Sequence, residues 1–362
     1  MLNKKDKVIF IDKEHLSKHN VIDKVFLYED LVLDERTENI YKYFENEFIE
    51  LYRLSAEVFS IEEYSFYIKE GFECNAFAKH KKGYNIIGVT NSYPVLLSDK
   101  FDSKYFENII FNSLINNENI GLAYIDLCND KNFDFGKFML DCSIQFTFGH
   151  EFRHIKQFNS SKIKKESYYL QENAVQSDFN IKRHAWEFDA DRGGCYTVLK
   201  YVFSVDRNLK ERSNDKFKCL LYAGCASMMI TKYLFYYGLI YKDVTNNTIK
   251  KLEFYTKKFS HPHPLTICMN ILDYYYSNIL DDFSKLDIDY QEYFENVFGI
   301  IKLYFDSLLG DKNFIKEIFD DLSTHMADIN KYNNELYDIV IQDEAIRDLL
   351  ISSNTNFEGF TE

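Results

Sequence analysis

Only three prolines and 13 glycines occur among the 362 residues of this chain. Proline breaks helix interiors and glycine weakens them, so their scarcity favours long helices joined by short connections. Hydrophobic residues make up 46% of the sequence, which is enough for a sizeable buried core. Two of the three prolines fall together in His261-Pro262-His263-Pro264, and this segment predicts a clear break in the second half of the chain.

Helical periodicity is strongest in three parts of the sequence. Apolar residues recur at helical spacing over residues 138–158, and a second strong pattern covers 181–203, which predicts a helix in each. From residue 219 to residue 352 the pattern is helical almost throughout, apart from the proline-rich break. The last ten residues, 353–362, have the composition of a flexible tail.

Strand patterns are few and short, and the first is a strand-like run at 8–11. Two β-prone segments, 74–78 and 84–90, flank a polar turn and predict a β-hairpin. A further strand is expected over 121–127, where apolar residues follow one another closely. So few strands among so many helical segments predict an α+β fold with a small mixed sheet.

Charge and cysteine content limit the classes of protein to which the chain can belong. Its formal net charge of −14 repels phosphate backbones, so we expect no nucleic-acid partner. No run of about twenty uncharged apolar residues is present, so we expect no membrane span, and the N-terminal apolar run is too short for a signal peptide. The seven cysteines are scattered and never spaced CxxC, which favours a cytoplasmic protein without disulfides. The oligomeric state stays open.

The pentapeptide His150-Glu151-Phe152-Arg153-His154 is an HExxH motif on the helix predicted over 138–158. Residues four apart on a helix are separated by about 40° around the axis and about 6 Å along it. Two imidazoles so placed can bind one tetrahedral Zn²⁺, each at about 2.0–2.1 Å. Glu151 lies on the flank of the same face, where its carboxylate can take a proton from the water that the metal activates. The motif predicts a zinc hydrolase with Glu151 as its catalytic base.

A third ligand is expected on the helix predicted over 181–203, where three candidates share one face. His184, Glu187 and Asp191 are spaced three and four residues apart, and Glu187 follows His154 by 33 residues. One carboxylate on this face can bind the metal while the other accepts the free N–H of a ligand histidine and so fixes its tautomer. His184 is a rival ligand or a polar neighbour of the site.

These motifs together resemble the gluzincin peptidases, the group that includes the heat-shock protease HtpX and the CAAX prenyl proteases. The resemblance rests on HExxH and on Glu187-Phe188-Asp189-Ala190-Asp191, and it implies that Glu187 is the third zinc ligand. Asp191 then supports the ligands by hydrogen bonding. The strand pair at 75–78 and 86–90 and the segment Ser260-His261-Pro262 match the same pattern in the same order, so the resemblance covers roughly half the chain.

The departures from that pattern point to a soluble relative. Arg153 places a charge where such motifs usually carry an uncharged residue, and the chain has no predicted membrane span. An arginine that usually follows the His-Pro pair is also missing. The chain is more similar in these respects to the phage-exclusion peptidase Lit group, which implies a role in phage defence.

Two further segments are candidates for substrate contacts. His261 or His263 could donate a hydrogen bond to the oxyanion of a tetrahedral intermediate, and His261 is favoured; alternatively, the loop only caps the following helix. One strand of the hairpin, Asn75-Ala76-Phe77-Ala78 or 86–90, is expected to be an exposed sheet edge that pairs with an extended substrate backbone; alternatively, both strands belong to an ordinary hairpin of the core sheet.

The sequence thus predicts a zincin-like metallopeptidase core over residues 71–270. A helical N-terminal extension (1–70), a helical C-terminal region (271–352) and the tail (353–362) complete the predicted organisation. The expected function is intracellular, zinc-dependent hydrolysis of a peptide bond in a protein or peptide substrate. The alternative is a catalytically silent zincin fold that acts as a binding or sensing module, for which Glu151 would serve no purpose.

Overall fold

The structure, a computed structural model, describes residues 8–106, 118–160, 167–171, 179–241, 252–310, 313–343 and 346. The tail predicted over 353–362 and the last part of the C-terminal region, 347–352, lie outside the described residues. Among the described helices, none carries a stretch long and apolar enough to cross a membrane.

Long helices dominate the described chain. In order they are α1 (Lys13–Lys18), α2 (Glu35–Phe59), α3 (Ser92–Lys100), α4 (Glu118–Asn129), α5 (Phe135–Ser160), α6 (Ile181–Asn208), α7 (Asn214–Tyr236), α8 (Pro264–Asp282), α9 (Tyr290–Leu309) and α10 (Phe314–Gln342). The helices predicted over 138–158 and 181–203 are confirmed as α5 and α6, each longer than its apolar pattern. They extend because polar turns can continue a helix where no proline or cap interrupts it.

Five strands form one small mixed sheet. They are β1 (Ile9–Phe10), β2 (Glu63–Lys69), β3 (Ala76–Lys81), β4 (Tyr84–Thr90) and β5 (Ser167–Gln171). In space the order is β1-β2-β4-β3-β5, with β1, β2 and β4 parallel and β3 antiparallel to both of its neighbours. This mixed sheet beside long helices is consistent with the predicted α+β class.

The predicted hairpin is confirmed as β3 and β4, with Ala76 opposite Val89 and Lys81 opposite Tyr84. Lys82 and Gly83 alone form the turn, with φ angles of 54° and 90°. Positive φ at both positions is the type I′ geometry, whose twist matches that of paired strands, and glycine adopts it without strain. Because two residues are enough for this turn, β3 continues three residues beyond its predicted end.

Two predictions about local structure are wrong. The strand expected over 121–127 belongs to α4, because a short apolar run cannot by its period distinguish a strand from a buried helix. The N-terminal region 1–70 was expected to be helical after the strand-like run at 8–11; that run contains β1, but the region also supplies β2 to the sheet. In β2 the five central residues are all buried, so the alternation of polar and apolar residues that marks a half-exposed strand is absent.

Helix α5 lies at the centre of the molecule. It packs against α6 and α7 and against β3 and β4 of the sheet. Every residue from 142 to 158 is buried, so this helix is covered on all sides and is not amphipathic. Asp134 caps its start by accepting the backbone N–H of Lys137 at 2.9 Å. Its polar side chains must therefore find partners inside the protein.

Candidate metal centre

Helices α5 and α6 approach each other closely where the motif residues lie. His150, Glu151 and His154 are on α5, and Glu187 is on α6. A Cβ atom added to Gly194 of α6 would lie only 2.8 Å from the carbonyl oxygen of Phe146 on α5. Glycine at this point is what allows the two backbones to come together, and the two helices can then present their polar side chains to one another.

Three ligand-type atoms converge between these helices. The Nε2 atoms of His150 and His154 are 3.2 Å apart. Glu187 Oε2 lies 3.3 Å from His150 Nε2 and 3.6 Å from His154 Nε2. The three side chains are 1–3% exposed and could hold a metal ion. The structure thus brings together the three residues that the sequence and the resemblance selected as ligands.

The far side of the His150 ring is held by a buried ion pair. Asp191 Oδ1 accepts the Nδ1–H of His150 at 2.9 Å and also lies 3.0 Å from the Nζ of Lys232 on α7. The hydrogen bond to Asp191 orients the ring and leaves Nε2 to face His154 and Glu187. The role predicted for Asp191 therefore matches its position.

Charges within the cluster shift the pKa values of its members. Burial and Lys232 both lower the pKa of His150, but hydrogen bonds to Asp191 and Glu187 outweigh them and raise it to about 10. Burial raises the pKa of Glu187, yet His261, His154 and His150 together hold it well below its usual value. Burial also raises the pKa of Asp191, but Lys232 and His150 outweigh this effect and lower it overall. Both carboxylates are therefore charged across the neutral range.

Three buried side chains of this site were not assigned from the sequence. They are Gln157, which contacts His154 Nδ1 at 2.8 Å; Asp189, which contacts Gln157; and Lys232, which contacts Asp191. A signal for Lys232 was present, because it is the one lysine in the apolar sequence stretch 219–241, and a lysine in such a stretch must find a buried partner. For Gln157 the sequence offered no such signal, since glutamine is ordinary on an exposed helix surface.

The two histidines of the His-Pro segment have different roles. His261 points toward the cluster, with its Nε2 atom 3.4 Å from Glu187 Oε1 and its Nδ1 atom 3.0 Å from Ser260 Oγ. His263 instead caps α8, since its Nδ1 atom accepts the backbone N–H of Leu265 at 3.2 Å. Burial lowers the pKa of His263 to about 4, which keeps that nitrogen free to accept. His263 thus fits the capping interpretation, and the hydrogen bond from His261 to an oxyanion stays a prediction.

Of the two interpretations of His184, rival ligand or polar neighbour of the site, its contacts fit the second, since they are with residues outside the ligand set. Its Nε2–H donates to the carbonyl of Phe259 at 3.1 Å, and its Nδ1 accepts from the hydroxyl of Tyr332 at 2.8 Å. Burial lowers the pKa of His184 to about 4, so the ring is neutral and both nitrogens are occupied. His184 therefore fastens the loop that carries His261, as well as α10, to α6, and neither nitrogen is available to a metal.

The sheet edge predicted for Asn75-Ala76-Phe77-Ala78 is occupied. Strand β5 pairs with β3 on that side, with Gln171 opposite Phe77 and Leu170 opposite Ala78. All four residues from Asn75 to Ala78 are buried. The exposed edge was therefore wrongly placed, because β5 comes from a segment that the sequence did not mark as a strand.

The arrangement supplies two imidazole nitrogens, one carboxylate oxygen and an adjacent buried carboxylate, Glu151, which is 1% exposed. Three protein ligands leave a tetrahedral ion one position for a water or a substrate, whereas structural sites usually have four. The chain matches no protein-family model. It likewise matches no curated protein and no solved structure, so what the site does must be inferred from the geometry of its own residues.

Proposed function

We propose that this protein is a zinc-dependent endopeptidase built on a zincin-like core of α5, α6 and the sheet. One observation carries the proposal: His150 Nε2, His154 Nε2 and Glu187 Oε2 form a triangle with edges of 3.2, 3.3 and 3.6 Å. Ligand atoms at 2.0–2.1 Å from a tetrahedral ion are separated by about 3.3–3.4 Å. The donor set and its spacing thus fit zinc, and the resemblance to gluzincins supports the same assignment.

The proposed chemistry is hydrolysis of a peptide bond. When bound, zinc supplies a Lewis acid that polarises the scissile carbonyl and lowers the pKa of a water. Glu151 accepts the proton of the attacking water and returns it to the leaving amine. His261, whose Nε2 atom lies beside Glu187, donates a hydrogen bond to the oxyanion that develops. Asp191 and Lys232 keep the His150 ring in place throughout.

Burial of the site favours a second function, a metal-stabilised binding or sensing module. The ligands and Glu151 are at most 3% exposed, so an extended peptide has no direct path to them in this conformation. A peptidase must therefore open before its substrate binds, whereas a structural metal ion would be held permanently in such a position. The peptidase is preferred because a structural site gains nothing from the buried carboxylate of Glu151.

Replacement of Glu151 by glutamine separates the two functions. The amide cannot accept the proton of water, so Glu151→Gln should lose at least about 10²–10⁴-fold in hydrolysis rate and keep its zinc. Mass spectrometry of new protein N-termini in cells that express the wild type or Glu151→Gln would detect the cleavage. The matched control is His150→Ala, a variant that lacks one ligand and should therefore contain no metal.

The expected result is a set of new N-termini that appears only with the wild type. Identical N-termini in cells with the wild type and with Glu151→Gln, both proteins being zinc-loaded, would exclude the peptidase. The binding module would then be the better description of the site.

A further inference from the structure

The side-chain amide of Gln157 has one possible orientation. Its Nε2 atom donates to the carbonyl of Trp186 at 3.1 Å and to Asp189 Oδ2 at 2.8 Å. A backbone carbonyl and a carboxylate oxygen only accept hydrogen bonds, so both require the NH₂ end of the amide. The oxygen end must therefore face the other way, toward His154, where Oε1 lies 2.8 Å from Nδ1.

This orientation decides which nitrogen of His154 carries the proton. An amide oxygen can only accept, so the Nδ1 atom of His154 must be the donor in that contact. In a neutral ring the proton on Nδ1 leaves the lone pair on Nε2. That lone pair faces His150 Nε2 at 3.2 Å and Glu187 Oε2 at 3.6 Å, where a metal ion would lie.

Arg153 prevents the amide from turning over. Its guanidinium binds Asp189 through two parallel hydrogen bonds, from Nε to Oδ2 at 2.7 Å and from an Nη atom to Oδ1 at 2.8 Å. Both side chains are buried, at 5% and 1% exposure. Oδ2 of Asp189 thus accepts from both Arg153 Nε and Gln157 Nε2, and turning the amide over would place its oxygen against that acceptor.

The same contacts join the two ligand-bearing helices. Arg153 and Gln157 are on α5, immediately before and three residues after His154. Trp186 and Asp189 are on α6, immediately before and two residues after Glu187. The charge of Arg153 is unusual within an HExxH motif, and in this chain it serves to bind Asp189 on the neighbouring helix.

We propose that Arg153, Asp189 and Gln157 form a positioning relay that fixes His154 as the Nδ1–H tautomer and presents its Nε2 lone pair to the metal. This inference rests on the proposed metal site and adds the residues that orient its second histidine. The simpler alternative is a buried polar network that only stabilises the packing of α5 on α6.

Two substitutions of matched size distinguish these roles. Gln157→Met removes the amide but keeps the length of the side chain. Asn270→Leu is the control: Asn270 is a buried amide that donates to the Phe188 carbonyl of α6 at 2.9 Å and accepts from Arg192, without contacting a ligand histidine. Both variants lose a buried hydrogen bond to α6, so both should lose stability to a similar degree.

The first measurement is zinc affinity, by competition with a chromophoric chelator. We expect Gln157→Met to bind zinc about 10–100-fold more weakly than the wild type, the usual effect of losing a partner behind a ligand. Asn270→Leu should bind within about twofold of the wild type, because it leaves His154 untouched. Wild-type affinity in folded Gln157→Met would overturn the relay.

The second measurement does not depend on either variant or on hydrolysis. Nitrogen NMR of the metal-free wild type, with ¹⁵N-labelled histidine, reports which ring nitrogen of His154 is protonated. We expect a protonated Nδ1 and an unprotonated Nε2; the reverse tautomer would overturn the relay. A wild type that binds no zinc would refute the proposed metal site instead, and the tautomer of His154 would still decide the relay.

Discussion

Three lone pairs converge at the centre of this molecule. Asp191 accepts a hydrogen bond from the Nδ1–H of His150, and Gln157 accepts one from the Nδ1–H of His154. Both Nε2 atoms therefore face Glu187 Oε2, across 3.3 and 3.6 Å. Acceptors at such distances repel each other unless a cation or a proton lies between them. In the absence of metal, the raised pKa of His150 means that a proton fills this role.

Zinc binding should therefore depend on pH over an unusually wide range. Zinc must displace the proton of His150, whose pKa is raised to about 10 by Asp191 and Glu187 against the opposing effects of burial and Lys232. Because protonation competes with metal below the pKa, the affinity should rise about tenfold per pH unit up to at least pH ~9. An unshifted histidine would level off above pH ~7.

Chelator competition at a series of pH values measures this slope. Asp191→Asn is the useful control, since it removes one of the hydrogen bonds that raise the pKa of His150. In that variant the affinity should level off at a lower pH than in the wild type. A wild-type affinity that is constant above pH ~7 would contradict the pKa assigned to His150.

Individual site residues were predictable only where local spacing carries the information. His150, Glu151 and His154 follow from a single helical turn, and Glu187 required the resemblance to choose it from three candidates on one face. Gln157 lies one turn from His154, but the contacts that orient its amide are with residues 29 and 32 positions away. The partner of Lys232 lies 41 positions away, so neither residue could be assigned. Such contacts depend on how α5, α6 and α7 pack, which helical periodicity does not specify.

At the scale of elements, the approach of α5 to α6 determines the site. Their backbones come together at Gly194, where the Phe146 side chain and carbonyl oxygen leave no room for a methyl group. Glu187 and Asp191 occupy the same helix as this contact, about two turns and about one turn before it, respectively. Any increase in the distance between the helices would therefore pull both carboxylates away from the histidines on α5.

Gly194→Ala should weaken both the fold and the metal site. An added Cβ atom would lie 2.6 Å from the Phe146 ring and 2.8 Å from its carbonyl oxygen, and such overpacking costs about 1–3 kcal/mol. Zinc affinity should fall by about tenfold or more, since such sites tolerate displacements of only about 0.5 Å. Urea unfolding of the metal-free protein and chelator competition measure the two effects.

Gly299→Ala is the matched control for this substitution. Gly299 lies within α9, and a Cβ atom added there meets nothing within 4 Å. Alanine should therefore stabilise this helix by about 0.5–1 kcal/mol and leave zinc affinity unchanged. If Gly194→Ala behaved like Gly299→Ala in both measurements, close packing of α5 on α6 would not be what holds the site.

The helices were more predictable than the sheet for a physical reason. A 26-residue helix such as α5 displays its period over several turns, and no proline contradicts it. Strand β5 has five residues and forms only because β3 offers an open edge, so its existence depends on a distant hairpin. The edge strand therefore could not be predicted from local sequence.

At the scale of the whole molecule, one hydrophobic cluster connects the N-terminal and C-terminal parts of the described chain. It includes Tyr28 and α2 at one end and α10 and Ile346 at the other. The division into an N-terminal extension, a core over 71–270 and a C-terminal region stays a prediction. The contact of Tyr332 with His184 shows that α10 reaches the helix that carries Glu187.

The net charge of −14 bears on what can bind this molecule from outside. It opposes association with nucleic acids and with other polyanions. A metal cation is attracted instead, and the buried carboxylates of Glu187 and Asp191 concentrate that attraction at one point. These charges favour the proposed metal ion between α5 and α6.

Metal content after dialysis against zinc and then against a chelator series tests this claim most directly. The proteins to compare are the wild type, His150→Ala, Glu187→Ala and His184→Ala, each verified as folded by circular dichroism. We predict one zinc ion per chain in the wild type and in His184→Ala, and none in the other two at a chelator concentration that leaves the wild type loaded. A wild type without bound zinc would contradict the account, as would a His184→Ala protein that loses zinc as readily as His150→Ala while Glu187→Ala keeps it.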